Sequence, residues 1–242
     1  MKTKSIFLTI CTILTTVVLS GCDTWYDRNK DSLVIENPEY IKGIVADGAW
    51  DITIFQHETA SANIEYLDSY NITAEVREDG YLHLKVKHKI QPFTWNKKND
   101  FKAVIHIPNI ELIKGSGACD ITINGTFHGE QCKIDLNGAS DLKHFEYYGD
   151  NIEVDLDGAS DCSITGEAGF TKISCSGASD AHMFDFFTDE LDIKLSGASY
   201  ATITVHDKIS GSISGASTLK YRGNADRSNV KTSGASDIKK KS

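Results

Sequence analysis

Proline is scarce in this chain, three residues in 242, and methionine scarcer still at two. So little proline rules out a collagen-like rod, and the nineteen glycines punctuate the chain rather than forming a flexible linker. Basic charge is also short: 25 Lys and Arg stand against 34 Asp and Glu, a formal net charge of −9. Removing residues 1–21 takes away Lys2 and Lys4 and no acid, which moves the balance from −9 to about −11. A nucleic-acid backbone needs a basic surface, so no nucleic-acid partner is expected. Motifs of catalysis and metal binding are missing too. There is no HExxH, GxSxG, phosphate-binding glycine loop, CxxC or spaced histidine pair, and the eight histidines are scattered. No catalytic residue, metal or cofactor is therefore expected. Sustained helical periodicity is absent from the second half of the chain.

What stands there instead is one short phrase, seven times: Gly117-Ala118-Cys119-Asp120, Gly138-Ala139-Ser140-Asp141, Gly158-Ala159-Ser160-Asp161, Gly177-Ala178-Ser179-Asp180, Gly197-Ala198-Ser199-Tyr200, Gly215-Ala216-Ser217-Thr218 and Gly234-Ala235-Ser236-Asp237. The glycines are 18 to 21 residues apart, a period that marks stacked repeats. Apolar residues precede most of these glycines by four (Ile113, Ile134, Val154, Ile173, Ile193, Val230) and two (Leu136, Leu156, Cys175, Leu195, Ile213). They follow it by four (Ile121, Leu142, Cys162, Leu219, Ile238) and six (Ile123, Ile164, Met183, Ile203). That is period two on both sides, hence two short strands meeting at a corner. Such a unit cannot bury its apolar face alone, whereas stacked copies can. The expected fold is all-β, a parallel β-solenoid (β-helix) of ~20-residue coils. Glycine suits a corner that requires positive φ or close backbone approach. Unbroken alternation would point the Ser inward as a hydroxyl ladder; a bulge at the glycine would turn it outward.

Before the repeats the chain changes character. Residues 1–21 read as an export signal: Lys2 and Lys4 begin it, and the apolar run Ile6 to Leu19 is too short for a spanning helix. Leu19-Ser20-Gly21-Cys22 resembles a bacterial lipobox, which makes Cys22 the lipid attachment site and the membrane a partner through that anchor. Residues 22–37 read as a polar tether. Gly48-Ala49-Trp50-Asp51 is a degenerate copy of the repeat phrase. Alternating runs at Ile72–Val76 and Tyr81–Lys87 flank Asp79-Gly80, a hairpin signal. Residues 38–112 are expected to form an antiparallel-rich N-terminal part capping one end of the solenoid over 113–242, since an open coil is an unpaired sheet edge. The closing Ile238-Lys239-Lys240-Lys241 fits edge protection by lysine.

The ordered Gly-Ala-Ser phrases, the lipobox, Pro108-Asn109-Ile110 ahead of the first Gly-Ser-Gly, and Leu219-Lys220-Tyr221-Arg222-Gly223 after the sixth phrase resemble a Bacteroidetes family of unknown function. It is called the putative auto-transporter adhesin head GIN domain. The resemblance spans roughly residues 38–240. It implies a secreted or cell-surface β-helical protein, often a lipoprotein, and its name suggests adhesion.

Other features have a bland and a sharp reading. The row Asp120, Asp141, Asp161, Asp180 and Asp237 would cap backbone N–H groups in each turn; the alternative is calcium bridging between coils. Tyr200 and Thr218 interrupt that row. Cys119 and Cys132 are 13 residues apart, as are Cys162 and Cys175. Export permits disulfides, but the cysteines stand mostly at apolar positions, where a thiol packs as a small hydrophobe. Trp50, Phe93, Trp95, Tyr147, Tyr148 and Tyr200 could stack on sugars or pack in the core. The expected function is a non-catalytic envelope lipoprotein, of the outer membrane, whose solenoid binds a glycan or protein. A self-associating structural component and a polysaccharide-active enzyme are the alternatives, the first implying a homo-oligomer.

Overall fold

The computed structural model describes residues 30–36, 40–67, 70–87 and 101–242. The export signal, Cys22, Phe93 and Trp95 lie outside these. Seven strands come first: β1 (Lys30–Glu36), β2 (Gly43–Gly48), β3 (Asp51–Gln56), β4 (Ser61–Leu67), β5 (Asn71–Val76), β6 (Tyr81–Lys87) and β7 (Phe101–Ile107). β8 (Leu112–Gly117), β9 (Asp120–Asn124) and β10 (Thr126–Gly138) open the repeats. The long β11 (Asp141–Leu156), β12 (Asp161–Cys175), β13 (Asp180–Leu195) and β14 (Tyr200–Ile213) follow. β15 (Thr218–Arg222), β16 (Asp226–Thr232) and β17 (Asp237–Lys240) end the chain's order.

The architecture is the expected parallel β-solenoid. Gly138 pairs with Gly117, and Asp141, Asp161, Asp180 and Tyr200 stand in register one above another. Each coil has three sides. One leads into the glycine (for example 151–156 beside 170–175), one leaves it (141–142 beside 161–162), and a third closes the loop (145–149 beside 164–168). The phrase at Gly48 is part of the stack: β2 pairs parallel with β8, Gly48 opposite Gly117, and β3 pairs parallel with β9, Asp51 opposite Asp120.

Among the described residues, antiparallel pairing is confined to the N-terminal end: β5 with β6, β4 with β7, and β1 with β4. The hairpin turns at Gly80, φ +83°, where the Asp79 carboxylate accepts the N–H of Tyr81 at 2.9 Å. Residues 30–36 differ from the polar tether expected there. Leu33 and Ile35 are half-buried against the core, and the Tyr66 hydroxyl donates to Asp31 at 2.9 Å, which fixes this segment as an added strand.

The interior is a set of apolar columns. Ile44, Ile113, Ile134, Val154, Ile173 and Ile193 stack at the fourth position before the glycine, and every one is buried. Burying such a side chain is worth roughly 1.5–3 kcal/mol, and each column repeats that gain in successive coils. At Gly211 the column loses its side chain, Gly211 standing opposite Ile193. Cys119, Cys132, Cys162 and Cys175 are buried free thiols within this core. Desolvation raises all four, Cys175 to about 12.

Alternation passes through the corner without a change of parity, so the serines face inward. Ser140, Ser160, Ser179, Ser199 and Ser217 are all buried. The Ser179 hydroxyl donates to the Ser176 carbonyl of its own turn at 3.0 Å and accepts the N–H of Ser160 in the coil before at 3.3 Å. Ser160 does the same toward Asp157 and Ser140. Buried hydroxyls thus satisfy backbone groups that a bent strand would otherwise leave unpaired.

Candidate binding surface

The corner is where the chain is most constrained. Gly117, Gly138, Gly158, Gly177, Gly197, Gly215 and Gly234 have φ between +74° and +100°. A Cβ on Gly177 would lie 2.3 Å from the carbonyl oxygen of Gly158. That oxygen accepts the N–H of Ala178 at 2.7 Å, so the space is taken by the hydrogen bond joining the coils. Glycine and alanine leave this edge of the molecule without projecting side chains.

Past the corner, Asp51, Asp120, Asp141, Asp161 and Asp180 form one outward row. Partners of the row lie both in the same coil and in neighbouring ones. Lys143 sits 3.4 Å from Asp141 and 3.9 Å from Asp120, and the Asp161 carboxylate accepts the N–H of Asp180 in the next coil at 3.2 Å. Burial first, then the Asp180 and Asp141 charges, raises the carboxyl of Asp161. Tyr200 continues the row with the Lys220 ammonium 4.9 Å from its ring centroid. The carboxylates follow a line and do not converge on a point. Among the described residues, no three His, Cys, Asp or Glu side chains come together to hold a metal.

The side leading into the glycine carries an ion-pair lattice. Lys133 bridges Asp155 (2.9 Å) and Glu153 (3.4 Å), and Lys172 reaches Glu153 from the next coil (2.7 Å). These hydrogen bonds and charges hold Glu153 below the usual carboxylate range and raise both lysines. Two open depressions lie here, of about 430 Å³ beside Tyr81, Leu112 and Phe170, and about 290 Å³ beside Asp155, Asp157 and Lys194.

The third side is different. Its inward residues Phe127, Phe145, Tyr147 and Phe186 are fully buried. Outward stand His128, Tyr148, Glu167 and Phe187, in register in consecutive coils. Tyr148 is 38% and Phe187 43% exposed. The His128 and Tyr148 rings stack at 5.5 Å between centroids, 23° apart in plane, and Phe187 lies 6.2 Å from His206. Glu146 accepts from Tyr148 at 3.2 Å and from Thr126 at 2.7 Å.

Of the aromatic residues singled out in the sequence, Trp50 and Tyr147 belong to the core, Tyr200 is half-buried, and Tyr148 faces solvent. His128, Phe187 and His206 were not among them. A signal existed: His128, Tyr148, Glu167 and Phe187 each precede the following corner glycine by ten residues. Counting forward from the preceding glycine gives eleven, ten, nine and ten, so the column is lost.

Residues 41–225 match the sequence profile of the family described as putative auto-transporter adhesin, head GIN domain. Among curated proteins, none matches this chain. A crystal structure of a putative adhesin from Bacteroides fragilis aligns with a TM-score of 0.76 at 15% identity, covering 88% of this chain and 98% of that one. A putative lipid binding protein from Parabacteroides distasonis gives 0.69 at 13% identity, covering 89% and 98%. A putative adhesin from Parabacteroides merdae gives 0.59 at 18%, also covering 89% and 98%. At such identities the likeness speaks for a shared fold.

Proposed function

The chain belongs to the auto-transporter adhesin head family, and we propose that within it this protein is a membrane-anchored lipoprotein whose solenoid is a non-catalytic, adhesin-like binding surface. The observation that carries this reading is the regular array of outward side chains. The same side-chain position recurs at each strand spacing, ~4.8 Å, on a rigid hydrogen-bonded ladder. Such an array suits an extended ligand that repeats along its length, and carboxylates set in a line do not assemble an acid–base pair around one bond. In this reading residues 1–21 direct export, Cys22 carries the lipid, a short tether leads from it to β1, residues 38–112 cap the stack and 113–242 present it. The corner glycines are its structural residues, and the anchor lies in the outer membrane. The Parabacteroides neighbour's name mentions lipid; here the inside of the coil is filled by its apolar columns, so any ligand lies on the outside.

The test is protease treatment of intact cells carrying wild type or Cys22→Ala. Wild-type protein that fractionates with membranes and is cleaved from outside, with Cys22→Ala released, supports the reading. Protein that is membrane-bound but protected faces the periplasm. Adhesion is then excluded, and a self-associating envelope component takes its place.

A further inference from the structure

We propose that the outward strip of His128, Tyr148, Glu167 and Phe187 binds a neutral, extended glycan lying along the solenoid axis. This rests on the reading of the protein as a binding surface and names the ligand class for it.

The strip's rings lie outside the core. The core beneath is already filled by Phe127, Phe145, Tyr147 and Phe186, yet Tyr148 and Phe187 remain in solvent on the same strands. An aromatic ring held on a sheet is a rigid apolar platform whose exposure is costly until something flat covers it. Tyr148 and Phe187 are two coils apart, roughly 10 Å at ~4.8 Å per coil. His128 extends the platform at one end and His206 at the other. A chain of pyranose rings presents flat C–H faces at a comparable repeat and can rest on several platforms together.

The groups beside the rings decide the charge of the ligand. By strand alternation Glu146 and Asp150 flank Tyr148 and Asp185 and Asp189 flank Phe187, Glu167 lies between the rings in register, and His206 stands 3.6 Å from Asp189. Arg222 at the far end is held over the Phe184 ring at 4.4 Å and lies 3.9 Å from Asp185. The hydrogen bond to Glu146 and the Glu146 and Glu167 charges raise the Tyr148 phenol, a mark of the negative field along the strip. Carboxylates only accept hydrogen bonds, and charge-assisted bonds from hydroxyl donors are among the stronger kinds. A polyol supplies such donors. Uronates, sulfates and phosphates bring more negative charge and are repelled.

The experiment uses the full chain in detergent, with immobilised β-1,4-linked hexasaccharides of glucose, xylose and mannose as neutral probes and hexagalacturonate as the acidic one. Binding of at least one neutral probe is expected, without binding of hexagalacturonate and with little dependence on salt. Tyr148→Ala and Phe187→Ala should each weaken it about tenfold, the upper end for one lost ring contact. Phe55→Ala, an exposed aromatic on another side, should leave it unchanged. Four results overturn the proposal. Strip variants that bind like wild type place the ligand elsewhere. Affinity that collapses with salt, or preference for a cationic peptide, assigns the strip to charge. Strip variants that alter only the sedimentation of the protein assign it to self-association. Wild type that binds no neutral probe while still adhering to host-cell or matrix surfaces sinks the glycan but spares the adhesin reading; failure of both removes the two together.

Discussion

The corner and the side opposite it are built by the same coils under different rules. At the corner the seven repeats from Gly117 to Gly234 share one geometry: positive-φ glycine, an Ala N–H to Gly carbonyl bond of 2.7–2.9 Å to the coil before, and a small residue turned inward. On the opposite side the pairing slips, between Leu142 and Phe145, between Ser163 and Gly166, and between Met183 and Phe187. His144 takes φ +60° in one of these irregularities. The variation in coil length, 18 to 21 residues, is absorbed there. The difference teaches that hydrogen bonding across the corner fixes the stack, while the far side is free to vary in what it displays.

If that division is right, the largest effect of substitution belongs at a central corner. Gly177→Val combines a disfavoured φ with a Cβ 2.3 Å from the Gly158 oxygen, and relief requires parting two coils. We expect a loss of about 3 kcal/mol or more, in the range of strained-backbone and overpacking changes, read as a drop in the urea midpoint. Gly234→Val sharpens the comparison: its Cβ would meet the Gly215 oxygen at 2.8 Å in a coil with exposed neighbours, and the loss should be smaller. Equal loss at both positions would mean that the corner does not act as a shared column.

Next comes the serine ladder. Ser179→Ala keeps the volume nearly constant and removes a hydroxyl that serves both the Ser176 carbonyl and the Ser160 N–H. Two buried backbone groups lose a partner, so a cost of about 2 kcal/mol is expected. An unchanged urea midpoint would show that the ladder is incidental to the corner.

The buried thiols give a pH test of the same core. Cys175 is raised from 9.0 to about 12 by burial and then by the Asp180 and Asp155 charges. The unfolded thiol ionises first, so above pH 9 the unfolded chain holds fewer protons than the folded one. The contribution is fully present below about pH 9 and is lost as pH rises toward 12. At about pH 10 the loss from this group is on the order of 1 kcal/mol. Stability measured across this range should fall, and Cys175→Ala should flatten the fall.

The corner could be read from sequence because physics leaves few choices there. A positive φ with a carbonyl oxygen in the way selects glycine, the crowded turn selects Ala and Ser, and period two continues on either side. The parity of the serine could not be read, because it depends on whether the backbone bulges at the glycine. β1 was hidden because Leu33, Val34 and Ile35 sit among Asp, Asn and Lys, and the partial burial of Leu33 and Ile35 comes from pairing with a distant strand, β4. The strip was hidden by the slips of register, which in the β11–β12 and β12–β13 pairings come between the glycine and the strip and leave the spacing from the strip to the next glycine constant.

The smallest effect on stability is expected where the effect on binding is largest. Phe187 is 43% exposed, and its ring lies 6.2 Å from that of His206. Phe187→Ala removes no core contact of the column beneath, which belongs to Phe186. Surface changes of this kind stay within about 0.5 kcal/mol. A urea midpoint like that of wild type, beside a lost ligand, would separate the two regions in one substitution. A midpoint that falls as far as that of Ser179→Ala would instead make Phe187 part of the scaffold, and the far side would then be no freer than the corner.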